Sequence, residues 1–194
     1  MESDMRIKTL IETAIKCGAA PDLIKYIKTD MIVVTDRWVR WKCTFGCPTY
    51  GNNLCCPPFT PSPEDTKKMI LEYSNALLIG FKIKISEQIK LRKKMQRCIL
   101  KIENKAFTMN FLKAFAFNVG GCVWCKTCII KELPKEINPL IARIYCKYKD
   151  RARPSMEAVG IDVFKTVENA GIKLDLVNKP NIDEAKFFGL LLIT

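Results

Sequence analysis

The stretch Ala114-Phe115-Ala116-Phe117-Asn118-Val119-Gly120-Gly121-Cys122-Val123-Trp124-Cys125-Lys126-Thr127-Cys128 runs from an apolar segment straight into a cysteine loop. Residues 114–119 read as a short strand, and the Gly120-Gly121 pair ends it. A second cysteine loop, residues 43–58, follows residues 31–42 (MIVVTDRWVRWK), which are rich in β-branched and aromatic side chains and also predict β structure. Both Cys-rich loops, 43–58 and 120–146, are therefore expected at strand ends of one sheet. Working outward, residues 3–17 predict a helix, with Ile7, Ile11, Ala14 and Ile15 at helical spacing and Gly18 as its C-terminal cap. Ser62-Pro63-Glu64-Asp65 opens another, to about Ser74. Ala76–Ile85 reads as a strand. A long helix follows Ser86, its buried face marked by Leu91, Met95, Cys98, Ile102, Ala106 and Met109. Arg153-Pro154-Ser155 predicts a helix start, running to about Ala170 and ended by Gly171. Ile172–Val177 and Phe187–Ile193 predict closing strands. The expectation is an α/β (or α+β) fold: one compact metal-binding domain over residues 1–194, with a mixed sheet flanked by helices.

Composition narrows the chemistry. The chain has 194 residues, 48% of them apolar, enough for a sizeable core. It has ten cysteines and no histidine. The missing imidazole excludes a Ser-His-Asp triad, a Cys-His nucleophile and any His-ligated metal. The first residues mix charges among apolar positions, unlike a signal peptide, and no run is long enough to span a membrane. Eight cysteines fall in two groups rather than being dispersed as in a disulfide scaffold. These features predict a soluble, reduced, cytoplasmic protein. Cys17 and Cys98 stand apart, at a helix end and on a helix's buried face, and are read as core.

The second group, Cys122-x2-Cys125-x2-Cys128 with Cys146 further on, has the spacing of [4Fe–4S] ligation in bacterial ferredoxins. Gly120 and Gly121 let the backbone approach such a cluster. Zinc is the competing metal, although zinc sites more often pair C-x2-C knuckles. The first group is Cys43-x3-Cys47-x7-Cys55-Cys56. Its C-x3-C opening suggests a radical-SAM motif, but Tyr50 stands where the third cysteine belongs. Cys43 and Cys47 with one or both of Cys55 and Cys56 remain as ligands. A three-thiolate site would leave one iron open to a small molecule; a closed structural site of zinc or iron–sulfur type is the alternative.

The run Lys42-Cys43-x3-Cys47-Pro48-x-Tyr50-Gly51-x4-Cys56-Pro57-Pro58 resembles the N-terminal motif of a cysteine-rich family of predicted metal-binding proteins, found mainly in methanogenic archaea and anaerobic bacteria. The run Gly121-Cys122-x2-Cys125-x2-Cys128, then Cys146 and Ala152-Arg153-Pro154-Ser155-Met156-Glu157-Ala158-x-Gly160-Ile161-Asp162-Val163, resembles its C-terminal motif. The resemblance implies metal binding and an anaerobic setting, and names no reaction. It implies Cys56, before Pro-Pro, as ligand and Cys55 as an addition of this chain. Where the family commonly has Cys-Arg-His-Pro, this chain has Cys146-Lys147-Tyr148-Lys149, so histidine is not needed for ligation here.

The net charge of +12 is concentrated: residues 82–105 carry +7 and residues 142–153 carry +4. A solvated face is the plain reading. An acidic redox carrier of ferredoxin or flavodoxin type would also be steered there. Nucleic acid is disfavoured, because no DNA- or RNA-binding signature accompanies the charge. Arg151, Arg153 and Ser155, around the helix start expected at Pro154, are candidates for binding a small anionic substrate. The resulting expectation is an iron–sulfur protein in electron transfer or redox chemistry, with a [4Fe–4S] cluster on Cys122, Cys125, Cys128 and Cys146 and a second centre on Cys43, Cys47 and Cys56, also read as [4Fe–4S], zinc being the alternative at either site. The alternatives are an enzyme using an open iron for sulfur transfer or reduction, and a zinc-stabilised nucleic-acid binder.

Overall fold

The computed structural model describes residues 2–174 and 183–194. Its elements are α1 (Glu2–Lys16), β1 (Ile24–Lys28), α2 (Trp38–Gly46), α3 (Pro63–Ile70), β2 (Asn75–Lys84), α4 (Gln88–Thr108), β3 (Phe115–Phe117), α5 (Pro139–Ala142), α6 (Val163–Asn169) and β4 (Glu184–Leu192). The four strands form one sheet in the order β1-β2-β4-β3, and every neighbouring pair is antiparallel. The fold combines helices and sheet as expected, but the sheet is wholly antiparallel rather than mixed, because α4 leads from β2 to β3 across β4 and leaves no two parallel strands adjacent among the described residues. Among the described residues, no helix is long and apolar enough to cross a membrane.

The two central strands are apolar because both of their faces are covered. On β2, Leu77, Ile79 and Phe81 face α1 and α4, where Leu10, Ala14, Met95, Cys98, Ile99 and Ile102 complete one core. Ala76 and Leu78 alternate onto the other face, against Ile32, Met156, Val159, Ile161 and Val167. Two glycines permit the close approach this needs. A Cβ on Gly80 would lie 2.5 Å from Leu23 Cβ, and one on Gly189 would lie 2.7 Å from Ile99 Cδ1 and 3.0 Å from the Phe117 carbonyl oxygen. The stripe expected on the long helix holds: Met95, Cys98, Ile102 and Ala106 are buried. Cys98 belongs to that core, and Cys17 packs against it.

Three further expectations are corrected. Residues 31–42 are not a strand: Thr29–Met31 is a 3-10 turn, Val34 makes a single bridge to Ile161, and α2 begins at Trp38. Trp38, Trp41 and Phe45 step by three and four along one helix face, which is helical rather than β spacing, and all three are exposed. The first cysteine loop therefore leaves a helix, not a strand end. The strand in this region is β1, an edge strand whose Lys25 and Lys28 interrupt its apolar pattern. The helix expected from Pro154 is also absent. Residues Glu157–Val159 form a 3-10 turn, and Gly160 at φ +89° breaks the chain direction. Helix α6 starts only at Val163, where the Asp162 carboxylate accepts the Lys165 N–H at 3.0 Å. Of the closing strands, β4 contains 187–192, residues 172–174 are not strand, and 175–177 lie outside the described residues.

Helix α4 positions the second cysteine loop through two buried polar side chains. Gln96 Nε2 donates to the carbonyls of Val119 (3.0 Å) and Gly121 (2.8 Å), so the glycine pair after β3 is tied to the helix. One turn pair further on, Glu103 accepts the Ala116 N–H at 2.8 Å and the Arg153 Nε–H at 3.0 Å. A small satellite core of Leu54, Ile130 and Ala142, with Phe59, Ile129 and Leu133, lies beneath the two loops.

Candidate metal centre

The first loop leaves α2 with Cys43 half-buried and Cys47 exposed at the helix C-terminus. It then coils through a run of tight turns. Cys47, Thr49, Asn53 and Cys56 carbonyls each accept an N–H three residues ahead, and Gly51 at φ +68° donates across to Pro57. These turns bring Cys56 back toward the helix end. The Thr49 hydroxyl sits between two thiols, 3.1 Å from Cys47 Sγ and 3.8 Å from Cys56 Sγ. Burial, with the nearby sulfurs, pushes the Cys56 thiol up to about 11, against the Thr49 hydrogen bond. Burial, with Cys47 and Glu157 nearby, also raises Cys43, while the Arg40 guanidinium opposes the rise. Arg40 itself donates to the carbonyls of Ala158 (2.7 Å) and Pro61 (2.9 Å), fixing α2 against the loop's exit.

The second loop encloses a cavity of about 270 Å³ whose walls carry Cys122, Cys125, Cys128 and Cys146. Pro48, Thr49, Asn52 and Asn53 of the first loop supply part of the wall, so the two loops meet. Asn53 Nδ2 donates to the Cys122 carbonyl at 3.2 Å and stitches them together. Trp124 and Tyr148 also line the cavity. The Arg151 guanidinium lies over both rings, and Lys93 of α4 lies over Trp124. The neighbouring Cys55 thiol holds the Cys122 thiol down at about 7; the Trp124 backbone N–H and the Arg143 charge help, against burial. Burial and the three surrounding sulfurs raise Cys125.

Sequence grouping places Cys55 with the first loop's thiols. The structure turns its side chain into the second cavity, while its neighbour Cys56 faces Cys43 and Cys47. Cys43, Cys47 and Cys56 thus form one set, and Cys122, Cys125, Cys128 and Cys146 the other.

A family model described as "Predicted metal-binding protein (DUF2284)" matches residues 25–193. The chain belongs to that family. No curated protein and no solved structure matches it. Metal binding is what the DUF2284 description predicts, and in this member the two thiol sets are the places that offer metal-ligand chemistry.

The residues suit a soft, thiophilic group. The donors are sulfur, with no imidazole in the chain. The indole N–H of Trp124 is buried without a partner, although its ring lines the second cavity, so it is free to donate to a sulfide or thiolate there. Among the described residues, no three Cys, Asp or Glu side chains close tightly enough to hold a single metal ion.

The anion candidates are not arranged as expected. No helix starts at Pro154. Arg153 is committed to Glu103, which is only 5% exposed, and stacks over Phe115. Ser155 is buried and its hydroxyl accepts the Ala158 N–H at 3.3 Å. Arg151 pairs with Asp150 while covering Trp124 and Tyr148. Arg153 and Ser155 thus serve the fold, and Arg151 the cavity rim.

Sequence reasoning passed over Gln96, Glu103, Thr49, Trp124 and Arg143. Gln96 and Glu103 left a usable signal. They stand seven apart beside the apolar stripe of α4, where two polar residues on one edge of a buried face need partners.

Proposed function

We propose that this DUF2284 protein is a cytoplasmic iron–sulfur redox protein of an anaerobe. Cys122, Cys125, Cys128 and Cys146 would hold a [4Fe–4S] cluster in the second cavity, and Cys43, Cys47 and Cys56 a second metal centre. The observation that carries this is the cavity walled by the C-x2-C-x2-C triple and its distant fourth thiol. A cluster supplies a reversible one-electron couple. The protein residues orient and tune it: Gln96 fixes the glycine pair, Trp124 offers its N–H, and Arg143 places positive charge beside Cys122. The exposed lysines of α4 and the Arg151 rim would draw an acidic one-electron carrier to this end of the molecule.

Metal and sulfide analysis of anaerobically purified protein tests the proposal. Brown protein with about four irons and matching sulfide per cluster is expected. Cys128→Ser should remove one centre, and Cys98→Ser should remove none. Colourless protein with stoichiometric zinc, or equal iron loss in the two variants, overturns it.

One observation favours a catalytic reading of the first centre. Its set contains three thiols, and Cys47 is exposed, so an iron there could face solvent. In that case a small added thiol or cyanide perturbs the spectrum of that centre alone. An unchanged spectrum marks it as a closed electron-transfer site.

A further inference from the structure

The vicinal pair Cys55-Cys56 divides between the two loops. Cys55 is only 3% exposed, and its sulfur lines the second cavity together with Cys122, Cys125, Cys128 and Cys146. Its backbone is held for this. The Cys55 N–H donates to Asn53 Oδ1 at 2.8 Å, and the same Asn53 side chain donates to the Cys122 carbonyl at 3.2 Å. One asparagine therefore fixes Cys55 relative to Cys122. Arg143 supplies a second restraint. Its Nη2 is anchored on the Ala152 carbonyl at 2.6 Å, which aims Nη1 at Cys55 Sγ, 3.8 Å away. The Cys55 sulfur thus accepts from a guanidinium, and it shares the cavity wall with Cys122. With Arg143 on its acceptor side, its S–H is left to serve the thiols beside it. A cationic donor polarises a thiol and strengthens its own donation.

We infer that Cys55 serves the second centre, not the first, as a fifth sulfur that does not ligate but donates its S–H to the Cys122 sulfur. This rests on the proposal that Cys122 is a ligand. A thiolate bound to metal retains lone pairs, so it still accepts such a bond. A hydrogen bond to a ligand sulfur stabilises the more negative, reduced state and raises the reduction potential. Cys55 is accordingly a positioning and tuning residue. Cys56, one residue on, completes the first set with Cys43 and Cys47.

The test uses full-length protein under anaerobic conditions. Cys55→Ala and Cys55→Ser are compared with the parent for metal content and for the midpoint potential of each centre, with Cys122→Ser identifying the second. Unchanged metal content is expected in both Cys55 variants. In Cys55→Ala the second centre's midpoint moves to more negative potential while the first stays fixed. Cys55→Ser keeps an O–H donor and restores most of the shift. Loss of metal from either centre in Cys55→Ala overturns the inference, as do two unmoved midpoints. A second measurement does not depend on which metal binds. A short bifunctional thiol reagent (dibromobimane) on the reduced, metal-free parent should join Cys55 to Cys122 in the digested peptides. A link from Cys55 to Cys43 or Cys47 instead refutes the placement and leaves the iron–sulfur proposal standing. The expected link in a protein that loads no iron refutes that proposal and keeps the placement.

Discussion

Gln96 is the side chain through which the main core controls the second cysteine loop, and Gln96→Met tests that role. Methionine keeps the length and fills the same space but removes the amide. Gln96 is fully buried and donates to two carbonyls, Val119 at 3.0 Å and Gly121 at 2.8 Å. A buried carbonyl left without its donor costs about 1–3 kcal/mol. Val119 is buried and loses toward the upper end; Gly121 is half-buried, recruits water and loses toward the lower. One term runs the other way. The amide oxygen Oε1 is buried without a partner, and removing it returns about 1 kcal/mol. The net loss is about 2–3 kcal/mol, or about 4–12 °C in unfolding temperature for a chain of this size.

Thermal and urea unfolding of the reduced, metal-free protein measure it. The effect also has a direction along the chain. The carbonyls released lie between β3 and Cys122, so the metal-loaded variant should lose metal from the second centre and retain it at the first. Unfolding within about 0.5 kcal/mol of the parent, the range of a neutral surface change, would refute the claim that α4 holds this strand end.

Three further outcomes are expected. Arg153→Ala leaves the buried Glu103 carboxylate without its cation and should cost about 3–5 kcal/mol in urea unfolding; a loss below about 1 kcal/mol would show the pair to be unimportant. Gly189→Ala drives a methyl toward Ile99 and the Phe117 carbonyl and should cost about 1–3 kcal/mol without altering metal content. Ultraviolet titration of the metal-free protein should show one thiolate forming near pH 7, absent in Cys122→Ser and moved upward in Cys55→Ala. Because the folded value lies below the ordinary 9.0 of a thiol, the thiolate's contribution to metal-free stability is full above pH 9.0 and is lost as pH falls through about 7. Stability that rises steadily on acidification through this window would contradict it.

The parts of the fold legible in the sequence are those with a long, regular pattern. Helix α4 and the central strands β2 and β4 bury continuous faces, so their periodicity is strong. The failures fall where two patterns coincide. Trp38, Val39 and Trp41 satisfy a propensity reading for β, yet the spacing of Trp38, Trp41 and Phe45 is helical, and their exposure removes the burial that would favour a strand. At Gly160, a left-handed backbone and the close approach of Pro63 stop a helix that the preceding residues would tolerate; a Cβ there would lie 2.8 Å from Pro63 Cγ. That the cysteines gather in two loops was legible because most of their spacing is local. The side to which Cys55 turns was not, because it depends on Asn53, Arg143 and Ala152, and the last two lie far along the chain.

The arrangement explains how such irregular loops keep their thiols in place. The sheet and its two cores lie on one side, and they reach the thiols through few fixed points: Gln96 to the glycine pair, Arg40 to the first loop's exit, and Glu103 with Arg153 to the strand that leads in. Beyond those points the loops depend on one another. Asn53 binds across to Cys122, Cys55 enters the neighbour's cavity, and Leu54, between them, is 1% exposed in the satellite core with Ile130 and Ala142. Three consecutive residues of the first loop thus serve the second. That core is too small to order both loops alone, since a few buried side chains contribute about 1.5–3 kcal/mol each against about 1–2 kcal/mol per ordered backbone residue. Metal–thiolate bonds supply the remainder in small cysteine-rich lobes. The first loop forms part of the second cavity's wall, so on the proposed reading metal bound by one loop would lower the entropy still to be lost by the other.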